Sequence, residues 1–129
     1  MNLRDTPAVG RDPGALERTV EQDGAPGDRL LCAGCEHAVA RVADALAVGG
    51  RHEYTFTNPQ GYVYTVRLFA RAGGCRDLGE PTLEATWFPG HAWRHVVCGG
   101  CGEHLGWRWL AADGAGFHGL IRQRVREAG

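Results

Sequence analysis

Two Cys-x-x-Cys pairs constrain this chain more than any other feature. They are Cys32-Ala33-Gly34-Cys35 and Cys98-Gly99-Gly100-Cys101. A two-residue gap lets a tight turn aim both sulfurs at one ion, and the small gap residues let backbone amides point at the thiolates. Two such turns supply a tetrahedral four-sulfur shell, with Zn–S bonds near ~2.3 Å. That shell is closed to water and substrate, so Cys32, Cys35, Cys98 and Cys101 are the expected ligands of one structural Zn2+. Binding energy on the order of 10 kcal/mol or more then becomes folding energy. A chain of 129 residues with 20 glycines and 6 prolines has many turns and a small core, and gains from such a staple. A rubredoxin-type iron site would use the same four sulfurs. A redox dithiol would need only one pair, beside a βαβ pattern that is absent. His37 and His104 stand near the pairs and read as surface groups or as groups behind the ligands. Cys75 is left over in a glycine-rich stretch and reads as a plain loop thiol.

Composition narrows the class. Hydrophobic residues make up 43% and charged residues 22%, as in a globular domain. A net charge of -1 gives no strong field, so neither nucleic acid nor an anionic membrane is an expected partner. No apolar run approaches the ~20 residues of a membrane span. The first residues lack a basic start followed by an apolar stretch, so no signal peptide is expected and the location expected is cytoplasmic. Reduced thiols there favour metal binding over disulfides.

Residues 1–29 mix charge, Pro and Gly with few large apolar side chains, and are expected to form a flexible tail. The domain is expected over 30–125, with a short C-terminal tail at 126–129. After Cys35, "HAVARVADALAV" fits either a short helix or a strand and turn. "GGRHEYTFTNPQGYVYTVRLF" predicts a hairpin, because aromatic and β-branched residues dominate both arms and Asn58-Pro59-Gln60-Gly61 supplies turn chemistry. Residues 71–81 read as a loop. "TLEATWF" and "HAWRHVV" read as strands hinged at Pro89-Gly90, and "HLGWRWLAA" and "GFHGLIRQRV" as the last two. The class expected is mostly β and antiparallel.

All four tryptophans, Trp87, Trp93, Trp107 and Trp109, fall beside the second cysteine pair. Each indole can bury about 150–250 Å², so a core role is open to any of them. Their spacing favours something else. Trp107 and Trp109 lie two apart, on one face of a strand. Trp87 and Trp93 flank the Pro89-Gly90 bend. Indoles converging from adjacent strands build walls, which makes an aromatic ligand cage the alternative to a filled core.

The motif "TWFPGHAWRHVVCGGCGEHLGWRW", with the earlier "CAGC" and "FTNPQGY" in order, resembles the thalidomide-binding (CULT) domain of the cereblon family. The resemblance covers about residues 30 to 125, and the chain looks like a bacterial single-domain relative. It implies a β-tent fold, two antiparallel sheets pinned by zinc, and a pocket walled by Trp87, Trp93 and Trp107. Trp109 takes the place where Phe or Tyr is usual. Asn58 and Pro59 match the turn at the pocket mouth, and Ala85, Thr86 and Trp87 match a strand whose backbone hydrogen-bonds the ligand. Ala85 stands where a histidine is found in the human protein, which leaves the Ala85 carbonyl and Trp87 amide available.

The implied ligands are cyclic imides: glutarimide and thalidomide-type molecules, uracil or uridine, or a protein whose terminal Asn or Gln has cyclised. No ubiquitin ligase partner is expected, since the large extra domains of eukaryotic cereblon are not in the chain. A rival reading is a cage for methylated lysine or a quaternary amine, with Glu84 or Glu103 as counter-charge. An enzyme related to B-type methionine sulfoxide reductases would need a cysteine after Cys101, and none follows. No catalytic residue is expected. His91 and His95 alternate on the Trp93 strand and read as surface residues.

Overall fold

The computed structural model describes residues 26–128. Among them run nine strands: β1 (Arg29–Cys32), β2 (Ala38–Arg41), β3 (Glu53–Thr57), β4 (Val63–Phe69), β5 (Cys75–Thr82), β6 (His91–Cys98), β7 (His104–Ala111), β8 (Gly116–Ile121) and β9 (Val125–Glu127). Short 3-10 turns at Pro26–Asp28, Val42–Asp44 and Arg122–Arg124 connect some of them, and the described residues contain no α-helix. The strands form two antiparallel sheets, a three-stranded one in the order β2-β1-β9 and a six-stranded one in the order β3-β4-β8-β7-β6-β5. The architecture is mostly β, and the four cysteines of the two Cys-x-x-Cys pairs converge where the sheets meet.

The stretch after Cys35, open to two readings, is a strand followed by a 3-10 turn. The expected hairpin is β3–β4, with Phe56 opposite Tyr64 and Thr57 opposite Val63. Its loop is built on Asn58, whose Oδ1 accepts the amides of Gln60 (3.0 Å) and Tyr62 (2.8 Å). Gly61 supplies a φ of 92°, which costs little without a Cβ.

Two expectations for the middle of the chain are corrected. Residues 71–81 are not all loop: Cys75–Thr82 is a strand at the sheet edge, pairing with β6 from Cys75↔Cys98 to Leu78↔His95 and again at Thr82↔Trp93. Gly79, at φ 82°, and Pro81 sit in the interruption. Edge strands tolerate both, which masks them in a sequence pattern. Conversely, "TLEATWF" is not a strand. Beyond Thr82 the chain turns, with Ala85 at φ 55° and Gly90 at φ 83°. The Thr86 hydroxyl donates to the His91 carbonyl at 2.7 Å and closes this loop. Residues 85–87 therefore present their backbone from a loop.

Both expected tails reach into the sheets. Arg29 pairs with Arg41, and Arg126 and Glu127 pair with Leu31 and Leu30. Asp28 accepts from Arg41 Nε (3.1 Å) and the Ala43 amide (3.0 Å). Polar side chains gave no apolar signal there, yet strand pairing needs only backbone groups. The remainder of those tails, 1–25 and 129, lies outside the described residues.

Two cores divide the labour. The first draws Leu30, Cys32, Val39, Ala40 and Val125 from the small sheet and Phe69, Val96, Cys98, Leu105 and Leu120 from the large one. The second is aromatic: Phe88, Trp107, Trp109 and Phe117 with Val66, Leu68 and Ile121, flanked by Phe56, Tyr64, Trp87 and Trp93. Strict alternation would place Leu105, Trp107 and Trp109 on one face. A bulge prevents it. Val96 pairs with Gly106 and Val97 with His104, so Leu105 has no opposite residue and turns into the first core. The tryptophans are thereby aimed into the second.

Gly119 on β8 lets Trp109 lie flat on the sheet, since a Cβ there would come within 2.5 Å of Trp109 Cζ3. Gly119→Ala is expected to cost about 1–3 kcal/mol through overpacking, read as a lower denaturant midpoint. Unchanged stability would mean that the Trp109 ring does not rest there.

Candidate functional site

The four cysteine sulfurs lie within 4.8 Å of one another. Cys32 Sγ is 3.8 Å from Cys101 Sγ, and Cys35 Sγ is 3.6 Å from Cys98 Sγ. A tetrahedron with metal–sulfur bonds of ~2.3 Å has edges of about 3.8 Å, so the spacing fits one four-coordinate ion. The two turns share a backbone pattern. The Cys32 amide donates to the His37 carbonyl and the Glu36 amide to the Cys32 carbonyl. The Cys98 amide likewise donates to the Glu103 carbonyl and the Gly102 amide to the Cys98 carbonyl. Glu36 (φ 67°) and Gly102 (φ 80°) occupy equivalent left-handed positions.

Charge also calls for a cation. At Cys35 an amide hydrogen bond at His37 favours the thiolate, but desolvation and the neighbouring Cys98, Cys101 and Cys32 sulfurs outweigh it and push the thiol up to about 12. At Cys98 burial opposes ionisation, and the Cys101 and Gly100 amides more than offset it, holding the thiol below its usual value. The Gly100 amide donates to Cys98 Sγ at 3.3 Å. A divalent ion would stabilise all four thiolates at once. Cys75 stands opposite Cys98, and burial, then the Cys98 charge, push its thiol up to about 12, which makes it a poor nucleophile.

Beside the aromatic core lies a cavity of about 430 Å³. Asn58, Pro59, Ala85, Trp87, Trp93, Trp107 and Trp109 all line it; Thr86 does not, its hydroxyl being spent on the loop closure. Trp87 meets Trp107 edge to face (4.9 Å, 70°), and Trp109 lies 6.2 Å from both. Trp109 is 1% exposed and Trp107 7%, so these two are core and wall together. Trp93 stands apart, its Nε1 donating to the Glu84 carbonyl at 2.7 Å. Asn58 Oδ1 is occupied by the loop amides, which leaves its Nδ2 edge free to face a ligand. The Ala85 carbonyl and the Trp87 amide have no hydrogen-bond partner among the described residues.

Four lining residues were not expected, Gln60, Tyr64, His95 and His104, while Glu84, weighed as a counter-charge, lines the cavity too. Tyr64 packs edge to face on Trp107 (5.1 Å, 75°). His95 shares a strand face with Trp93 and lies opposite Trp107, so its two-residue offset from Trp93 was the available signal. His104 Nε2 lies 2.9 Å from the Gly106 carbonyl and 3.2 Å from His95 Nδ1. Burial lowers the pKa of both imidazoles, helped at His104 by the charges of His95 and Arg124. Both are neutral near pH 7. The stability tied to that neutrality is present above the ordinary imidazole value and is lost as pH falls. His91 is turned away, onto Phe117. His37 lies against Gly100, the second cysteine turn.

Together these features define an antiparallel β domain with four cysteines that could hold one metal ion and an aromatic-walled cavity. The chain contains a cereblon-like domain. It is 33% identical over 89 residues to protein cereblon of Drosophila grimshawi, covering 65% of this chain and 13% of the relative. Against the Drosophila virilis protein the figures are 32% over 103 residues, 76% and 15%. Against that of Xenopus tropicalis they are 39% over 75 residues, 55% and 17%. The chain thus spans about a seventh of the length of these curated relatives. No protein-family model matches it. No helix of the described residues is long and apolar enough to cross a membrane.

Elemental analysis of the purified protein is expected to find one metal ion per chain. Chelation or Cys98→Ser should remove it and cost several kcal/mol, a large share of the ~5–15 kcal/mol that holds a small domain. Equal melting temperatures for metal-free and metal-loaded protein would contradict the clamp.

Proposed function

We propose that this domain is a binding module for cyclic imides, with glutarimide-type rings, uracil and uridine as its ligand class. The observation that carries the reading is the pairing of an indole-walled cavity with an unpaired backbone carbonyl and amide at Ala85 and Trp87. An imide edge reads acceptor–donor–acceptor. Its N–H meets the Ala85 carbonyl and one C=O meets the Trp87 amide, while the indoles remove the ring carbons from water. A purely apolar box would leave that edge unpaired at a cost of a few kcal/mol. A ring of about eight heavy atoms, at about 0.9 kcal/mol each, binds with a Kd on the order of 10 µM.

The metal in this reading is Zn2+ held by Cys32, Cys35, Cys98 and Cys101, and its role is structural because four thiolates complete its shell. We read the domain as a binder rather than an enzyme. The four-sulfur set leaves no open coordination position, and the one cysteine outside it, Cys75, is held as a thiol by burial. Reduced thiols suit a cytoplasmic setting. A protein ending in a cyclised Asn or Gln is a macromolecular form of the same ligand. Glu84 on the cavity wall favours one rival, a methylated ammonium held by cation–π attraction.

Calorimetric titration separates them. Glutarimide and uridine are expected to bind in the micromolar range and trimethyllysine not at all. Trp93→Ala, which removes a half-buried wall, should weaken glutarimide about tenfold or more with little change in melting temperature. A wild-type protein that ignores both imides, or prefers trimethyllysine, contradicts the reading.

A further inference from the structure

One wall of the cavity carries a hydrogen-bond relay that an indole cage for a bare ring does not need. Its protons can be placed by elimination. The Gly106 carbonyl can only accept, so His104 Nε2, 2.9 Å away, carries the proton. That proton also faces His95 Nδ1 at 3.2 Å, so Nδ1 is the bare nitrogen of His95. At the far edge, His104 Nδ1 is the bare nitrogen of that ring, and Arg124 Nη1 approaches it at 3.4 Å while donating to the His104 carbonyl at 2.8 Å. Both rings are neutral because burial lowers their pKa values. A neutral His95 with a bare Nδ1 has its proton on Nε2.

That Nε2–H has no acceptor among the described residues. His95 nevertheless lines the cavity. It stands edge-on to Trp93 (5.2 Å, 85°) and near Trp107 (6.4 Å), between two cage walls. With the Nδ1 edge turned to His104, the Nε2 edge is the one left for an occupant. The cavity has room for it. At about 30 Å³ per heavy atom, the share of a water molecule in the liquid, an eight-atom ring fills on the order of 240 Å³, roughly half of the 430 Å³ present.

We propose that His95 is a specificity-determining residue, whose Nε2–H, fixed as a donor by the Arg124–His104 relay, binds an acceptor oxygen on the substituent that a cyclic-imide ligand carries beyond its ring. The inference rests on the imide reading of the cavity and narrows it: the preferred ligand is a substituted ring with a carbonyl or hydroxyl oxygen, not a bare or alkyl-substituted ring. His104 and Arg124 act as positioning residues through His95.

The test compares glutarimide, 3-acetamidoglutarimide and 3-propylglutarimide by calorimetry on metal-loaded wild type, His95→Leu and His95→Gln. In wild type the acetamide should bind about 2- to 12-fold tighter than the propyl analogue, the range of one net hydrogen bond. His95→Leu should abolish that preference, which is a ratio between two ligands on one variant and is read independently of any change in absolute affinity. His95→Gln, which keeps an amide donor, should restore part of it. Nitrogen-15 correlation spectra should find His95 and His104 both protonated on Nε2. No preference for the acetamide in wild type, a preference that survives His95→Leu, or a His95 protonated on Nδ1 overturns the proposal while the imide reading stands. Failure of all three ligands to bind wild type overturns both.

Discussion

Four sulfurs gathered into one cluster tie this fold together. Cys32 ends β1 of the small sheet and Cys98 ends β6 of the large one; Cys35 and Cys101 lie in the turns that follow. Beside the first core, backbone groups also join the loops and sheets at this apex. The Gly99 amide donates to the Gly74 carbonyl (2.8 Å), and the Gly74 amide donates to the Val39 carbonyl (3.0 Å). A Cβ at Gly74 would strike the Ala38 carbonyl, and one at Gly100 would reach His37 Cβ at 2.9 Å. The thiolates, mutually repulsive without a cation, become cohesive with one.

The same two strands connect clamp and cavity. β6 carries Trp93, His95 and Cys98; β7, which starts just beyond Cys101, carries His104, Trp107 and Trp109. Holding the turn between them sets the register Trp93↔Trp109 and His95↔Trp107, and the Leu105 bulge aims the indoles away from the first core. Trp107 and Trp109 pack as core residues do, with Phe88, Phe117 and Tyr64 around them. Trp87 and Trp93 complete the walls from a loop and from β6. The choice between core and cage was therefore not exclusive: two indoles brace the others.

The cysteine spacing made the four-sulfur cluster legible, because two Cys-x-x-Cys turns in one chain suit a single four-coordinate ion. The β3–β4 hairpin and strands β6 to β8 were legible from aromatic alternation and turn residues. β5 was not, since an edge strand interrupted at Gly79 and Pro81 carries turn chemistry inside a paired element. Nor was the loop at 83–90, where alternation imitated a strand and the left-handed Ala85 gave no sequence signal. Arg29, Arg126 and Glu127 join the small sheet by strand pairing, which leaves no apolar signal in the sequence. His95 was legible from its two-residue offset from Trp93; His104 was not, because the bulge at Leu105 decides which face it shares with Trp107, and bulges depend on tertiary pairing.

The proposed function requires an open, indole-walled cavity that takes a cyclic imide by its polar edge, in a domain clamped by a metal ion. A proton–nitrogen-15 correlation spectrum recorded during addition of glutarimide tests it most directly. The account predicts that the Trp87 amide and the indole N–H signals of Trp87, Trp93 and Trp107 shift together and saturate, and that the response vanishes once the metal is stripped. Shifts confined to residues away from the cavity, or an unchanged spectrum at millimolar glutarimide, would contradict it.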